Sequence, residues 1–153
     1  MRIIVEANIP YIKGLLEKFG DVAYLPASGI TADAVHRADA LFVRTRTRCD
    51  ASLLDGSSVK FVATATIGTD HIDLQWCSGA GIDVANAPGC NAPAVAQYVH
   101  AVIGSRFGGD VRGLTLGVVG VGHVGGIVAR WGERLGMRVL RCDPPRQRRE
   151  GGD

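Results

Sequence analysis

One segment in the last third of the chain constrains its fold more than any other. An apolar run from Leu114 leads into Gly120, Gly122 and Gly125, which have the spacing G-x-G-x-x-G, and Asp143 follows at the end of the next apolar run. Strand, glycine-rich turn, amphipathic helix, second strand and acidic residue in this order are typical of a βαβ unit that binds a dinucleotide. A glycine-rich turn in an ordinary parallel sheet is the alternative interpretation.

Each glycine has a physical reason in such a unit. Gly120 allows a tight turn, Gly122 lets a pyrophosphate approach the backbone, and Gly125 lets the helix pack closely on the strand. Free N–H groups and the positive end of the helix dipole then face the phosphates. The predicted cofactor-binding residues are Gly120, Val121, Gly122, His123, Val124, Gly125 and Asp143.

The acidic residue also indicates which dinucleotide is bound. A carboxylate at Asp143 can accept hydrogen bonds from the adenosine ribose hydroxyls and would repel a 2′-phosphate, so NAD is favoured over NADP. Arg141 and Arg146 lie close enough in the sequence to offset that repulsion. The preference for NAD is therefore a prediction that depends on where these two arginines point.

Strand-like and helix-like segments alternate along the preceding residues and predict an α/β fold, a flavodoxin-like parallel sheet with helices on both faces. The predicted strands are Ile3–Glu6, Val22–Leu25, Ala40–Arg44, Phe61–Thr64 and Ile82–Ala85. The predicted helices are Tyr11–Phe19, a short one capped by Thr31, one turn capped by Asp50, Ile72–Ser78, and one from Asn91 or Pro93 to about Ile103.

The composition of the segments predicts a domain organisation. Residues 1–104 are expected to form the N-terminal part of a substrate domain, the polar and glycine-rich residues 105–113 a hinge, and residues 114–153 the start of a Rossmann domain. Two strands and one helix leave a parallel sheet with open edges. We therefore expect the nucleotide domain to be incomplete within this chain.

Charge and cysteine content exclude several classes of protein. A net charge of +2 says little about partners. Nucleic-acid binding would need a concentrated basic face, and no nucleic-acid partner is expected. The sequence has no signal peptide and no apolar run of membrane-spanning length, which predicts a cytoplasmic protein without a membrane partner. The four cysteines are scattered, without a C-x-x-C pair, and are expected to be reduced thiols and not metal ligands.

Several longer motifs resemble one family, the D-isomer-specific 2-hydroxyacid dehydrogenases, and cover essentially the whole chain. The resemblance implies a flavodoxin-like substrate domain with an inserted Rossmann domain, NAD as cofactor, a homodimer for the full-length protein, and hydride transfer from a hydroxy acid. Among members of the family, the motifs are most similar to those that oxidise a phosphorylated hydroxy acid in pyridoxal 5′-phosphate biosynthesis. The motifs are Ile3–Tyr11, Ala38–Thr47, Lys60–His71, Asn86–Asn91, Val118–Gly125 and Cys142–Pro145.

By this resemblance, Thr45 and Thr66 contact the phosphorylated substrate. The residues themselves support the first position, because Thr45 follows the carboxyl end of a predicted strand, where open α/β sheets bind ligands. Arg44 and Arg46 flank it and are predicted to bind the phosphate or the carboxylate, since arginine can hold either group with two hydrogen bonds. Arginines that are simply solvated are the alternative.

The segment Asp70–Asp73 is interpreted as a helix entry capped by Asp70, without a catalytic or metal role for its histidine. The family's chemistry uses a histidine paired with a glutamate and a substrate-binding arginine, and no residue of this chain is assigned to those roles. We therefore expect no turnover by these 153 residues alone. Another 2-hydroxyacid dehydrogenase, acting on glycerate or phosphoglycerate, and a ligand-binding module without catalysis remain alternatives.

Overall fold

The structure is a computed structural model that describes residues 1–144 and residue 148. Contacts between residues divide the chain into two compact units, the first spanning Met1–Pro88 and the second beginning at Gly89. No helix in the described part of the chain is long and apolar enough to cross a membrane.

A parallel five-stranded sheet forms the centre of the first unit and confirms the predicted α/β fold. The strands lie in the order β2-β1-β3-β4-β5, and all neighbouring pairs are parallel. This is the flavodoxin-like order. The chain adds β2 on one side of β1 and then adds β3, β4 and β5 on the other, so the direction of strand addition reverses between β1 and β3. The strands are β1 (Arg2–Glu6), β2 (Asp21–Leu25), β3 (Ala40–Val43), β4 (Phe61–Thr64) and β5 (Asp83–Ala85).

Alternating side chains of the strands fill two cores, one on each face of the sheet. Leu41 and Val62 belong to the larger cluster, whereas their strand neighbours Ala40 and Phe61 belong to the smaller one. The two-residue period of a strand places successive side chains on opposite faces. Both faces of the central strands are therefore covered, as parallel sheets require.

Three short helices connect these strands, and their capping residues explain where they begin. The side chain of Thr31 accepts a hydrogen bond from the N–H of Ala34, and that of Asp50 accepts one from Ser52, which confirms both predicted caps. The third cap differs from the prediction, because Asp73 and not Asp70 accepts the hydrogen bond from Trp76. The helices are α1 (Ala32–Val35), α2 (Ala51–Leu54) and α3 (Leu74–Gly79).

The helix predicted over residues 11–19 is wrong. This segment forms turns and one 3₁₀ turn, Glu17–Phe19. Gly14 has a φ of 86°, which no α-helix contains, and the Glu17 carboxylate accepts hydrogen bonds from the N–H groups of Gly14 and Leu16. Side-chain acceptors of this kind compete with helical hydrogen bonds. Ile12 and Leu16 still pack against the smaller core, whereas Leu15 and Phe19 are exposed.

The second unit contains a helix followed by the βαβ segment. Its elements are α4 (Ala92–Phe107), β6 (Thr115–Val119), α5 (His123–Arg134) and β7 (Arg138–Cys142), and β6 pairs with β7 in parallel. Within the described residues this sheet has two strands. Val119 is 86% exposed and Leu140 is 51% exposed, so much of its apolar surface faces solvent.

Helix α4 extends beyond its predicted end and occupies part of the predicted hinge. It ends at Gly108, which adopts the left-handed conformation with a φ of 68°. It packs along α5, with the rings of His100 and Trp131 5.2 Å apart, and for this reason it belongs to the second contact unit. The predicted domains 1–104, 105–113 and 114–153 stay a prediction, and residues 145–147 and 149–153 of the last lie outside the described residues.

Candidate functional site

The first unit gathers polar side chains at the carboxyl ends of β1, β3 and β4. Glu6 ends β1 and is only 1% exposed. Its Oε2 atom accepts hydrogen bonds from the backbone N–H of Arg44 at 2.9 Å and from the hydroxyl of Thr47 at 3.3 Å. A buried carboxylate needs such partners, since an unpaired one would be strongly disfavoured. Glu6 therefore fixes both ends of the turn that follows β3.

Three of the predicted substrate-binding residues lie on this turn. Thr45 and Arg46 are exposed, and Arg44 is half-buried with its guanidinium donating to the carbonyl of Asn8 at 3.2 Å. Arg48, just beyond the turn, forms an ion pair with Asp50 at 2.6 Å. Arg44 and Arg48 thus have protein partners, whereas Thr45 and Arg46 extend toward solvent.

Thr66 belongs to the loop that follows the neighbouring strand. The register pairs Val43 of β3 with Thr64 of β4, and the N–H of Ala65 donates to the carbonyl of Val43 at 2.9 Å. The loops carrying Thr45 and Thr66 therefore leave the same edge of the sheet from adjacent strands, the edge at which open α/β sheets bind ligands.

A chain of hydroxyls links Thr66 to His71. The Oγ1 atoms of Thr64 and Thr66 are 2.6 Å apart, and Nε2 of His71 lies 3.0 Å from Oγ1 of Thr64. Burial lowers the pKa of His71 from its ordinary 6.5, although the charges of Asp70 and Glu6 act in the opposite direction. The imidazole is therefore neutral at pH 7.

Sequence reasoning missed Glu6, Thr64 and His71 as parts of this site. The available signal was a polar residue closing an apolar strand, which both Glu6 and Thr64 are. The partners of Glu6, Arg44 and Thr47, are distant from it in sequence, so local spacing could not predict these hydrogen bonds. His71 was interpreted only as part of a helix entry.

The glycine-rich loop of the second unit has the geometry of a backbone anion site. Gly120 has a φ of 84°, and a Cβ at Gly125 would overlap the carbonyl oxygen of Gly120. A Cβ at Gly122 would meet nothing within 4 Å, so open space adjoins this residue at the start of α5. Helix N-termini bordering open space attract phosphate groups.

Asp143 is connected to this loop. Its Oδ2 atom accepts a hydrogen bond of 2.7 Å from the N–H of Val121, so the carboxylate lies beside the glycine-rich turn. Arg141 forms an ion pair with Glu133 at 2.7 Å. That pairing directs its charge toward α5. Arg146, the other arginine that bears on the choice of NAD, lies outside the described residues.

An open groove of about 490 Å³ borders the same loop within the second unit. The ring of His123 lies so close to Gly89 that a Cβ there would overlap it, and Gly89 also has a φ of 77°. These two constraints explain the glycine in the predicted Asn86–Asn91 motif. The groove is lined by Gly89, Ala92, Pro93, Val121, Gly122, His123, Gly126, Ile127 and Arg130.

Two further kinds of chemistry, metal binding and reaction at a cysteine thiol, would use other side chains among the described residues. Over residues 1–144, no group of three or more His, Cys, Asp and Glu side chains is arranged to hold a metal ion. All four cysteines, which lie in that range, are free thiols. Burial raises the pKa of Cys49 to about 12, so this thiol stays protonated and unreactive.

The sheet order and the glycine-rich βαβ segment define a doubly wound α/β protein, a class that binds ligands at the carboxyl ends of its parallel strands. The family described as "D-isomer specific 2-hydroxyacid dehydrogenase, catalytic domain" matches residues 3–135. The chain belongs to this family, which confirms the resemblance found in the sequence.

Individual relatives are similar over nearly the whole chain. An erythronate-4-phosphate dehydrogenase of Bacteroides thetaiotaomicron is 50% identical over 155 residues, which cover 99% of this chain and 44% of the relative. The enzyme of the same name from Klebsiella pneumoniae is 47% identical over 157 residues, covering 100% of this chain and 42% of the relative. The chain thus spans less than half the length of these relatives.

A solved structure gives the same architecture. The crystal structure of cofactor (NAD+) bound 3-phosphoglycerate dehydrogenase from Entamoeba histolytica is similar with a TM-score of 0.71 and 28% identity. The match covers 94% of this chain and 54% of that one.

Proposed function

We propose that this chain forms the substrate-binding and nucleotide-binding part of an NAD-dependent dehydrogenase that oxidises 4-phospho-D-erythronate to its 2-oxo acid, a step of pyridoxal 5′-phosphate biosynthesis. The observation that carries the proposal is identity of about one half, over 99% of the chain, to a relative named erythronate-4-phosphate dehydrogenase. Because that relative is more than twice as long, the activity is proposed for the whole protein.

In the first unit, the turn after β3 and the loop after β4 would hold the acid. Its phosphate and carboxylate are hydrogen-bond acceptors at neutral pH, and they need hydroxyl and cationic donors. Thr45 and Thr66 supply hydroxyls from adjacent loops, while Arg44 and Arg46 supply positive charge. Glu6 supports this role indirectly, because it anchors the turn that carries three of these four groups.

In the second unit, the glycine-rich loop would hold NAD. When bound, this cofactor would accept the hydride from the substrate. The open space beside Gly122 leaves room for a pyrophosphate at the N-terminus of α5. Asp143 lies beside this loop and can accept hydrogen bonds from the ribose hydroxyls. The cofactor-binding set therefore remains Gly120, Val121, Gly122, His123, Val124, Gly125 and Asp143.

The remaining parts of the proposal concern the whole protein. None of the residues in the two sites is assigned as an acid or base. We therefore propose that proton and hydride transfer use residues of the whole protein that are not among these 153. A homodimer in the cytoplasm, with neither nucleic acid nor membrane as partner, completes the proposed setting.

A second candidate substrate is 3-phosphoglycerate, which also carries a carboxylate and a phosphate. The similarity to an NAD+-bound 3-phosphoglycerate dehydrogenase favours it, although the 28% identity of that match is far lower. A third candidate, binding without catalysis, differs from both only in the absence of turnover by the whole protein.

Calorimetric titration of the chain with 4-phospho-D-erythronate, 3-phosphoglycerate and NAD tests the proposal. Thr66→Val should weaken binding of the preferred acid roughly 10-fold or more, since hydrogen bonds to charged groups are the strong ones. Thr115→Val, which removes an exposed hydroxyl at the start of β6, is the matched control and should change nothing. Tighter binding of 3-phosphoglycerate than of 4-phospho-D-erythronate would reverse the substrate assignment.

Nucleotide binding is tested separately. Gly122→Ala should weaken NAD binding while leaving the unfolding transition unchanged, because the added methyl meets open space in the protein. Asp143→Asn should narrow the difference in affinity between NAD and NADP. If Gly122→Ala binds NAD as well as the parent chain, the loop is not the pyrophosphate site.

A further inference from the structure

The hydroxyl chain between Thr66 and His71 has a defined direction. The hydroxyl of Thr66 donates to the carbonyl oxygen of Gly68 at 3.2 Å, and a carbonyl oxygen can only accept. Its single hydrogen is therefore committed, so at the 2.6 Å contact Thr66 must accept the hydrogen of Thr64. Thr64 has then used its own hydrogen and must accept from Nε2 of His71, 3.0 Å away. Nε2 consequently carries a hydrogen.

This direction matters for an anion that approaches Thr66. Phosphate and carboxylate oxygens only accept hydrogen bonds, so the hydroxyl must present its hydrogen to them. Without ligand, the Thr66 hydrogen points to the Gly68 carbonyl. While Thr64 donates to Oγ1 of Thr66, that hydrogen can turn from the carbonyl to a bound anion without reversing the hydrogen bond between the two threonines. In the opposite direction Thr66 would donate to Thr64 and present lone pairs, which repel an anion.

The buried position of Thr64 helps to maintain the direction of these hydrogen bonds. Thr64 is 4% exposed, so water has little access to replace its partners. Burial keeps the His71 ring neutral at pH 7, although the negative charges of Asp70 and Glu6 act in the opposite direction. The ring therefore donates as one neutral tautomer and not as an imidazolium ion.

We propose that His71 is a positioning residue of the substrate site, and that its Nε2–H, acting through Thr64, sets the Thr66 hydroxyl as a hydrogen-bond donor to the anionic group of the bound acid. The inference rests on the proposed function, because it concerns the same site and the same phosphorylated hydroxy acid.

The tautomer is the first test. Nitrogen-15 chemical shifts of the His71 ring, measured at pH 7.5 in the 153-residue chain, distinguish the two neutral forms. The Nε2–H form is expected both without ligand and with 4-phospho-D-erythronate. An Nδ1–H form would overturn the inference, because the ring would then accept from Thr64 and reverse the chain. This measurement needs no substitution, so it decides the matter even if a variant fails to fold.

The second test is a double-mutant cycle on binding of 4-phospho-D-erythronate. His71→Phe should weaken binding roughly 5- to 10-fold, while His71→Gln, whose amide can also donate, should stay within roughly 3-fold of the parent chain. In a Thr66→Val background, His71→Phe should have no further effect, since it acts through the missing hydroxyl. A purely structural role would weaken binding equally in both backgrounds and would overturn the inference.

The outcomes separate this inference from the proposed function. Equal binding by the parent chain and His71→Phe overturns only the role of His71. Absence of binding by the parent chain overturns the proposed substrate and this inference with it.

Discussion

The two units provide their candidate binding groups in different ways. In the first unit the groups are side chains, held by a buried parallel sheet and by hydrogen bonds between residues far apart in sequence. In the second unit they are mainly backbone N–H groups of the short loop between β6 and α5, with the Asp143 carboxylate beside them. The difference indicates that substitutions in the core should affect the first site, and added methyl groups in the loop should affect the second.

The largest expected effect concerns the cores. Leu41 is fully buried in β3, so Leu41→Ala should lower the free energy of unfolding of the first unit by about 2–5 kcal/mol. Leu140→Ala, the same change at a side chain 51% exposed in β7, should cost the second unit less than about 1 kcal/mol. Each unit has one tryptophan, Trp76 or Trp131, so fluorescence of single-tryptophan variants in urea follows them separately.

These variants could also break the comparison. If Leu140→Ala lowers the urea midpoint of the Trp131 transition as much as Leu41→Ala lowers that of Trp76, the exposed face of β7 is covered in solution. The second unit would then have a core of its own.

The next effect separates two adjacent glycines. Gly125→Ala should destabilise the second unit by roughly 1–3 kcal/mol, because the new Cβ would overlap the backbone of Gly120. Gly126→Ala, one position along the same helix, meets only ordinary contacts and should stabilise it by up to about 1 kcal/mol through helix propensity. Urea unfolding followed at Trp131 measures both. Equal effects would show that close packing of α5 on the loop is not what requires Gly125.

The two units also differ in how much of their candidate sites could be predicted from the sequence. The glycine loop and Asp143 were predicted from local spacing, because the hydrogen bond between Val121 and Asp143 and the pairing of β6 with β7 lie within one βαβ segment. Thr66 required the family resemblance, whereas Thr45 was also supported by its place just after the carboxyl end of a predicted strand.

Glu6 was missed because its hydrogen bonds to Arg44 and Thr47 form only after β1 has paired with β3. His71 lies only seven residues from its partner Thr64 and was missed because its segment was interpreted as a helix entry.

The wrong helix over residues 11–19 has a related physical cause. Its apolar residues repeat at helical intervals, yet Ile12 and Leu16 pack against the smaller core while Leu15 and Phe19 are exposed. A glycine with positive φ and a carboxylate that binds backbone N–H groups outweighed the weak intrinsic helix propensity. In this segment the pattern therefore predicted neither the backbone arrangement nor a single buried face.

An effect of similar size is expected from the carboxylate that anchors the turn after β3. Glu6→Ala leaves the Arg44 N–H and the Thr47 hydroxyl without their acceptor, which should cost roughly 1–3 kcal/mol and loosen the turn. Glu6→Gln keeps an acceptor oxygen of the same length and should retain most of the stability. Urea unfolding followed at Trp76 gives the stability, and titration with 4-phospho-D-erythronate shows whether binding declines with it. Unchanged stability of Glu6→Ala would contradict the anchoring role.

The smallest expected effect is a dependence of the first unit's stability on pH. Burial lowers the pKa of His71 in the folded chain below 6.5, so the unfolded chain binds a proton more readily. Stability from this group is complete above about pH 6.5 and declines as pH falls toward the folded pKa, because protons then favour the unfolded state. Asp50, whose pKa hydrogen bonds from Ser52 and Arg48 hold below 3.8, loses its contribution only at lower pH.

Urea midpoints of the Trp76 transition between pH 7.5 and 5 measure this decline. His71→Gln should flatten it, whereas His123→Gln in the second unit should leave it as it is. If the decline persists in His71→Gln, the ring is not the group that titrates. That result would leave the donor role of Nε2–H unaffected, because both the neutral Nε2–H tautomer and the protonated ring donate to Thr64, and the nitrogen-15 measurement tests that role.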